Sequence, residues 1–205
     1  MTFLNDSDKK RIAGAIREAE AGTGGELVTV IARASDDYLY IPLLWAALIA
    51  LLLPGLLMLL PLEIDYGTIY EIQVIGFFAL ALLFRWPPLM MRLIPKAVKH
   101  RRASRVAHQQ FFEQNLHHTR ERTGVMLFVS VAEHYVEIIA DKGINDVVEE
   151  GIWDEVIAEF VQHVKARQVA EGFLAAVAAC GKILAKHFPA THENPDELPN
   201  HLIEI

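Results

Sequence analysis

The sequence predicts an α/β (α+β) fold, a small mixed sheet covered by helices and split in two by an inserted transmembrane hairpin. Three observations predict it. Hydrophobic residues make up 53% of the 205-residue chain although 22% are charged, so the apolar residues must be clustered. The stretch from Ile41 to Leu62 carries no charge and is dominated by Leu, Ala and Ile, and a second apolar run follows a short acidic link. On either side stand Val- and Ile-rich segments and amphipathic helical patterns, the marks of a soluble domain.

The first part of that domain covers residues 1–37. Asn5, Asp6 and Ser7 offer capping side chains to a helix over Asp8–Ala21, with Ile12, Ile16 and Ala19 on one face. Gly22, Gly24 and Gly25 end it, and Glu26–Ala32 (ELVTVIA) reads as a strand.

The insert covers residues 38–97. The first span, 41–62, is 22 residues long, about 33 Å as a helix and enough for a bilayer core of roughly 30 Å. It has no polar stripe, unlike a buried helix of a soluble protein. Pro54-Gly55 lies inside it, where a membrane helix tolerates a kink, and Trp45 near one end can reach the headgroups. The second span, 68–86, places Glu71 at one headgroup layer and Arg85-Trp86 at the other. A single span followed by a re-entrant segment is the competing reading, and the short Glu63–Gly67 link favours the hairpin. Pro87 to Pro95 then mixes apolar residues with Arg92 and reads as a segment at the membrane interface attracted to anionic lipid, although a simple cytoplasmic anchor is the commoner role of such a basic run. Seven bases lie between Arg85 and Arg105 without an acid, whereas the link between the spans holds only Glu63 and Asp65. The positive-inside rule therefore puts both termini in the cytoplasm.

The second part covers residues 98–190. Val98–Arg122 reads as a polar helix that buries Val106, Phe111, Phe112 and Leu116, with Gly124 as its stop. Val125–Val131 and Tyr135–Ala140 read as an antiparallel hairpin, and Lys142-Gly143 turns the chain out of the sheet. Asn145 or Asp146 can cap the next helix, in which Trp153, Val156, Ile157, Phe160 and Val164 repeat at helical spacing. A last helix carries Val169, Phe173, Val177, Cys180 and Leu184 before Pro189. The tail, 191–205, reads as poorly ordered. Two strands alone are marginal, so the strand before the hairpin must join the pair after it.

Thr23-Gly24-Gly25-Glu26-Leu27-Val28, Arg122-Thr123-Gly124-Val125 and Val136-Glu137-Ile138-Ile139-Ala140-Asp141-Lys142-Gly143-Ile144 together resemble the TPM-domain family. The resemblance covers about residues 5–33 and 100–190, and is nearest to a bacterial membrane subgroup with transmembrane helices inserted after the first strand. It implies a TPM-like fold and a place in the bacterial inner (cell) membrane. It also implies links with calcium binding, with weak acid-phosphatase activity, or with assembly of membrane complexes, and a partner of the LemA-like membrane protein kind. Many members carry acidic and Asn residues just before the second strand; here that position reads Glu121-Arg122-Thr123-Gly124, and Arg122 opposes a cation.

For a metal, Asp141 leaves the third strand at a sheet end, and Asp36 and Asp37 follow the first strand. Together they are the candidate ligands for Ca²⁺, which needs several oxygens. The commoner role for Asp141 is a turn or helix cap, and Asp146, Glu149 and Glu150 read as the acidic first turn of a helix. Nine histidines raise the question of zinc. His117 and His118 are adjacent, though, His163 sits at an ordinary helical spacing from Glu159, and no thiol or His cluster has zinc spacing. Cys180 lies in an apolar stripe. Ser130 stands on a strand without a glycine-flanked elbow, and Gly22-Thr23-Gly24-Gly25 precedes a strand instead of a helix. No catalytic set emerges. A net charge of −7 disfavours nucleic acid as a partner. The expectation is a multi-pass membrane protein, with the lipid bilayer and a membrane protein as partners and a domain that binds or assembles. No cofactor is expected, with Ca²⁺ the one ion in question; the alternatives are a weak phosphate-ester hydrolase or a cation-binding regulatory domain.

Overall fold

The computed structural model describes residues 4–61, 63–119, 121–190 and 200–205. The chain divides into two units, Met1–Ser35 with Arg102–Ile205, and Asp36–Arg101.

The first unit is built on a mixed sheet in the order β3-β2-β1-β4. β1 (Glu26–Ala32) pairs in parallel with β2 (Gly124–Ser130), with Glu26 opposite Gly124 and Ala32 opposite Ser130. β3 (Tyr135–Ala140) returns antiparallel to β2, with Val125 opposite Ala140. The expected joining of the two halves into one sheet is thus realised at β1. Every residue of β1 and β2 is buried, because helices cover both faces. On one face Leu27, Ile31, Val125, Leu127 and Val129 pack with α1 (Asp6–Glu20), α7 (Ile152–Lys165) and α8 (Val169–His187). On the other, Val28, Val30, Met126 and Phe128 meet Ala103, Ala107 and Phe111 of α5 (Lys96–Glu113). The period of two along each strand sorts the side chains between these cores. Phe160 of α7 and Phe173 of α8 are both fully buried, edge to face at 5.1 Å.

Local chemistry sets the helix ends. Asn5 caps α1, accepting from the Asp8 amide at 2.8 Å. α5 stops at Glu113, short of the expected Arg122. Asn115 turns left-handed (φ 58°), which asparagine tolerates, and a 3₁₀ turn over Leu116–His118 follows. Leu116 is buried as expected, whereas Phe112 is 58% exposed. α7 begins at Ile152 after Gly151 (φ 84°), so its acidic first turn is Asp154 and Glu155. Asp146, Glu149 and Glu150 precede that helix, and Asn145 ends the short α6 (Lys142–Asn145) instead of capping α7.

The tail departs from expectation where it is described. Residues 191–199 lie outside the described residues, but Leu202–Glu204 form β4, parallel to β1 with Leu202 opposite Thr29. Ile205 closes this edge, its amide donating to the Ile31 carbonyl at 3.0 Å and its carbonyl accepting from the Arg33 amide at 2.9 Å. Lys9 reaches Glu204 at 3.0 Å. The Glu20 carboxylate accepts from the Leu27 amide at 2.9 Å, covering the stretch of β1 that β4 leaves open.

In the second unit, α2 (Tyr40–Met58) and α3 (Tyr66–Leu83) pack on each other, and both are long and apolar enough to cross a membrane. Pro54 lies within α2, which continues past it. Asp65 caps α3, accepting from the Thr68 amide (3.1 Å) and hydroxyl (2.5 Å). The Thr68 hydroxyl, then its amide, hold the Asp65 carboxyl below its ordinary range. The segment expected at the interface is a short helix, α4 (Pro87–Leu93). Tyr38, Ile41 and Ile94 form a small core beside it, with Met90, Met91 and Val98 against them.

Candidate functional site

The three phrases that carried the family resemblance converge on one end of the sheet. Thr123 donates its hydroxyl to the Gly24 carbonyl at 3.0 Å, and its own amide bonds the Thr119 hydroxyl at 3.0 Å. Thr23 donates to the Phe188 carbonyl (2.6 Å) and accepts from the Gly25 amide. The Asp141 amide bonds the Gly124 carbonyl at 2.9 Å. Two glycines are required by close approach. A Cβ at Gly124 would stand 2.6 Å from the Leu116 carbonyl, and one at Gly143 would stand 2.4 Å from the Glu121 carbonyl and 2.7 Å from that of Arg122. The backbone of Arg122, left-handed at φ 57°, therefore lies against the Asp141 loop. Most of the motif serves to lock turns together.

Asp141 is the motif residue with chemistry to spare. One carboxylate oxygen caps α6 by accepting from the Lys142 amide at 2.7 Å. The other, Oδ2, is buried without a hydrogen-bond donor. Farther along the chain, Asn145, Val148, Glu149, Glu150, Gly151 and Trp153 line an open cleft of about 390 Å³. Glu149 and Glu150 face solvent, and the Trp153 indole N–H has no acceptor.

The expected cation ligands divide between the units: Asp141 lies in the first, Asp36 and Asp37 in the second. β3 runs antiparallel to β1 through β2, so Asp141 leaves the sheet beside the start of β1, while Ser35, just before the Asp pair, follows its end. Asp36 accepts from the Tyr38 amide at 3.2 Å, a local turn. Among the described residues, no three His, Cys, Asp or Glu side chains are grouped to hold a metal.

The far end of the sheet holds a network that sequence reasoning missed. Ser130, on a strand as expected, is fully buried. It donates a short hydrogen bond to Glu133 and shares one of 2.8 Å with the Ser35 hydroxyl, while the Ser35 amide donates to Glu133 at 3.0 Å. Glu133 is only 3% exposed, a buried carboxylate matched by donors. In the sequence it is one residue of a β-turn, and Ser35 stands across the whole inserted hairpin. The network therefore left no local signal.

The remaining nucleophile is also enclosed. Cys180 is completely buried, and burial pushes its thiol up to about 12. His117 and His118 sit in the 3₁₀ turn with ring centroids 4.0 Å apart, and His117 also meets Phe112 edge-on at 5.1 Å. They form a tilted, edge-on aromatic cluster with Phe112.

Comparison with known proteins agrees with this geometry. A search of curated proteins finds no match. The NMR structure of BA42 protein from the psychrophilic bacterium Bizionia argentinensis shares the fold at a TM-score of 0.63 and 22% identity, over 100% of this chain and 97% of that one. A family model described as the TPM domain matches residues 91–183, which include β2, β3, the Asp141 loop and most of α8. Residues 91–183 thus match a TPM domain, and the fold agrees with the resemblance read from the sequence.

Proposed function

We propose that the chain is a membrane-embedded docking protein. Its TPM domain is held at the inner face of the bacterial cell membrane, both termini lie in the cytoplasm, and the domain assembles with another membrane protein. One observation carries the membrane part. Among the described residues, every exposed large hydrophobic side chain except Phe112, Val147, Val164 and Ile205 belongs to the hairpin unit. Apolar surface on that scale needs lipid or protein cover. Orientation rests on the bases crowding the ends of the insert. Partner binding is supported by the use of the motif residues in turn locking and by the burial of Ser130 and Cys180, the side chains otherwise suited to covalent chemistry.

The test uses photo-crosslinking amino acids at Val147 and Phe112, exposed on the domain, in cells producing the full chain. A discrete adduct with an integral membrane protein is expected. Adducts with lipid alone, together with turnover of a phosphate ester by the purified chain, would move the reading to the hydrolase alternative. Orientation is checked separately: an alkaline-phosphatase fusion at Ile205 that is active without being exported by other means would overturn it.

A cation-binding regulatory role is the second reading. It is favoured by the donorless Oδ2 of Asp141 and the exposed carboxylates of Glu149 and Glu150 on the cleft.

A further inference from the structure

From the charge pattern of the hairpin unit we infer that one end of the hairpin is a collar for anionic phospholipid. The inference rests on the membrane reading above and goes beyond it by naming the lipid class and the residues.

α2 and α3 are antiparallel neighbours, so the chain enters and leaves the hairpin at one end. At the other end, the link holds only acids, Glu63 and Asp65. Beyond the exit of α3, Arg85, Arg92, Lys96, Lys99 and Arg101 follow, and no Asp or Glu occurs between Ile72 and Arg101. Arg85, Arg92, Lys96 and Arg101 are exposed and form no ion pair among the described residues. Lys99 is used differently: its ammonium donates to the Met91 carbonyl at 3.1 Å, fixing the corner between α4 and α5.

That corner keeps α4 beside the start of α2, where Ile94, Ile41 and Tyr38 are buried together. The bases are therefore attached to the end of the membrane segment. Beside them Trp86 is 63% exposed and Pro87 and Pro88 are exposed, an apolar shoulder suited to the headgroup boundary. Unpaired bases around an apolar shoulder complement phosphate headgroups lacking a compensating cation, such as phosphatidylglycerol, better than zwitterionic ones.

Trp86 reports on this directly. The full chain carrying Trp45→Phe and Trp153→Phe is reconstituted into equimolar phosphatidylcholine and phosphatidylglycerol vesicles, with brominated acyl chains on one lipid or the other. Brominated phosphatidylglycerol should quench Trp86 more strongly, corresponding to about fivefold local enrichment. The preference should collapse in roughly 1 M salt, where the screening length is about 3 Å. It should also collapse when Arg92→Gln, Lys96→Gln and Arg101→Gln are combined. Equal quenching by both lipids overturns the collar and leaves the membrane reading standing. A preference that survives the triple substitution also overturns it. Absence of quenching by either lipid removes the membrane reading itself.

Discussion

Gly143→Ala and Gly14→Ala form a matched pair with opposite expected signs. Both glycines lie in helices, α6 and α1, and helix propensity alone favours alanine at each by up to about 1 kcal/mol. At Gly14 a Cβ meets nothing within 4 Å, so that gain should appear, at about 0.5–1 kcal/mol. At Gly143 the same Cβ arrives 2.4 Å and 2.7 Å from two carbonyl oxygens of the Glu121-Arg122 turn. Backbone cannot rotate away as a side chain tip can. The turn must move by most of an ångström, which disturbs the locked bonds around Thr119, Thr123 and Asp141. Overpacking of this kind costs about 1–3 kcal/mol, more than propensity returns. At roughly 2–4 °C per kcal/mol for a chain of this size, Gly143→Ala should melt several degrees lower and Gly14→Ala slightly higher. Melting of the detergent-purified chain, followed by circular dichroism, reads both. If Gly143→Ala is as stable as the unaltered chain, the close packing of the motif turns is refuted.

A fragment beginning at Val98 should lack a cooperative unfolding transition, because β1 supplies the strand between β2 and β4; a sharp melt of that fragment would contradict this. Cys180 should resist alkylation in the folded chain at pH 8 and react fully in denaturant, since its thiolate is about a thousandfold scarcer than in an ordinary thiol. The folded thiol keeps its proton above the unfolded value of 9.0 and up to about 12, so this group's contribution to stability is present below pH 9 and lost as pH rises through that window. Calcium should change the melting temperature little. A bound cation at a hundredfold excess over Kd would add about 2.7 kcal/mol, and a rise of several degrees abolished by Asp141→Ala would establish the cation-binding reading instead.

Much of the fold was legible because its signals are local. β1 was readable as a run of seven residues and α8 as a stripe of Phe173, Val177, Cys180 and Leu184, all of which are buried. The hairpin announced itself by composition. What escaped was long-range or depended on single backbone torsions. Leu202–Glu204 are too few to read as a strand, and only pairing with β1 makes them one. Asn115 and Gly151 end one helix and begin another through left-handed torsions, whereas Asn145 and Asp146 offered better capping chemistry on paper. The motif phrases were visible, but not their purpose. Thr23 and Thr123 are recognisable as letters, yet their partners at Phe188 and Gly24 lie 165 and 99 residues away. Ser35 and Glu133 were invisible for the same reason.

The position of the hairpin between β1 and β2 imposes an order of events during synthesis. β1 ends at Ala32 and its partner begins at Gly124, so at about 5–20 residues per second the finished strand waits some seconds for β2. During that wait its apolar edge has no mate within the nascent chain, and the segment being made is the hairpin. On the membrane reading proposed above, insertion of α2 and α3 would return the chain to its starting side and shorten the effective loop that pairing must close. On that reading, a hairpin delayed in reaching the membrane would leave β1 exposed to aggregation or to proteases. Completion of the sheet would then follow insertion of the hairpin, and a folded domain would report that insertion had taken place.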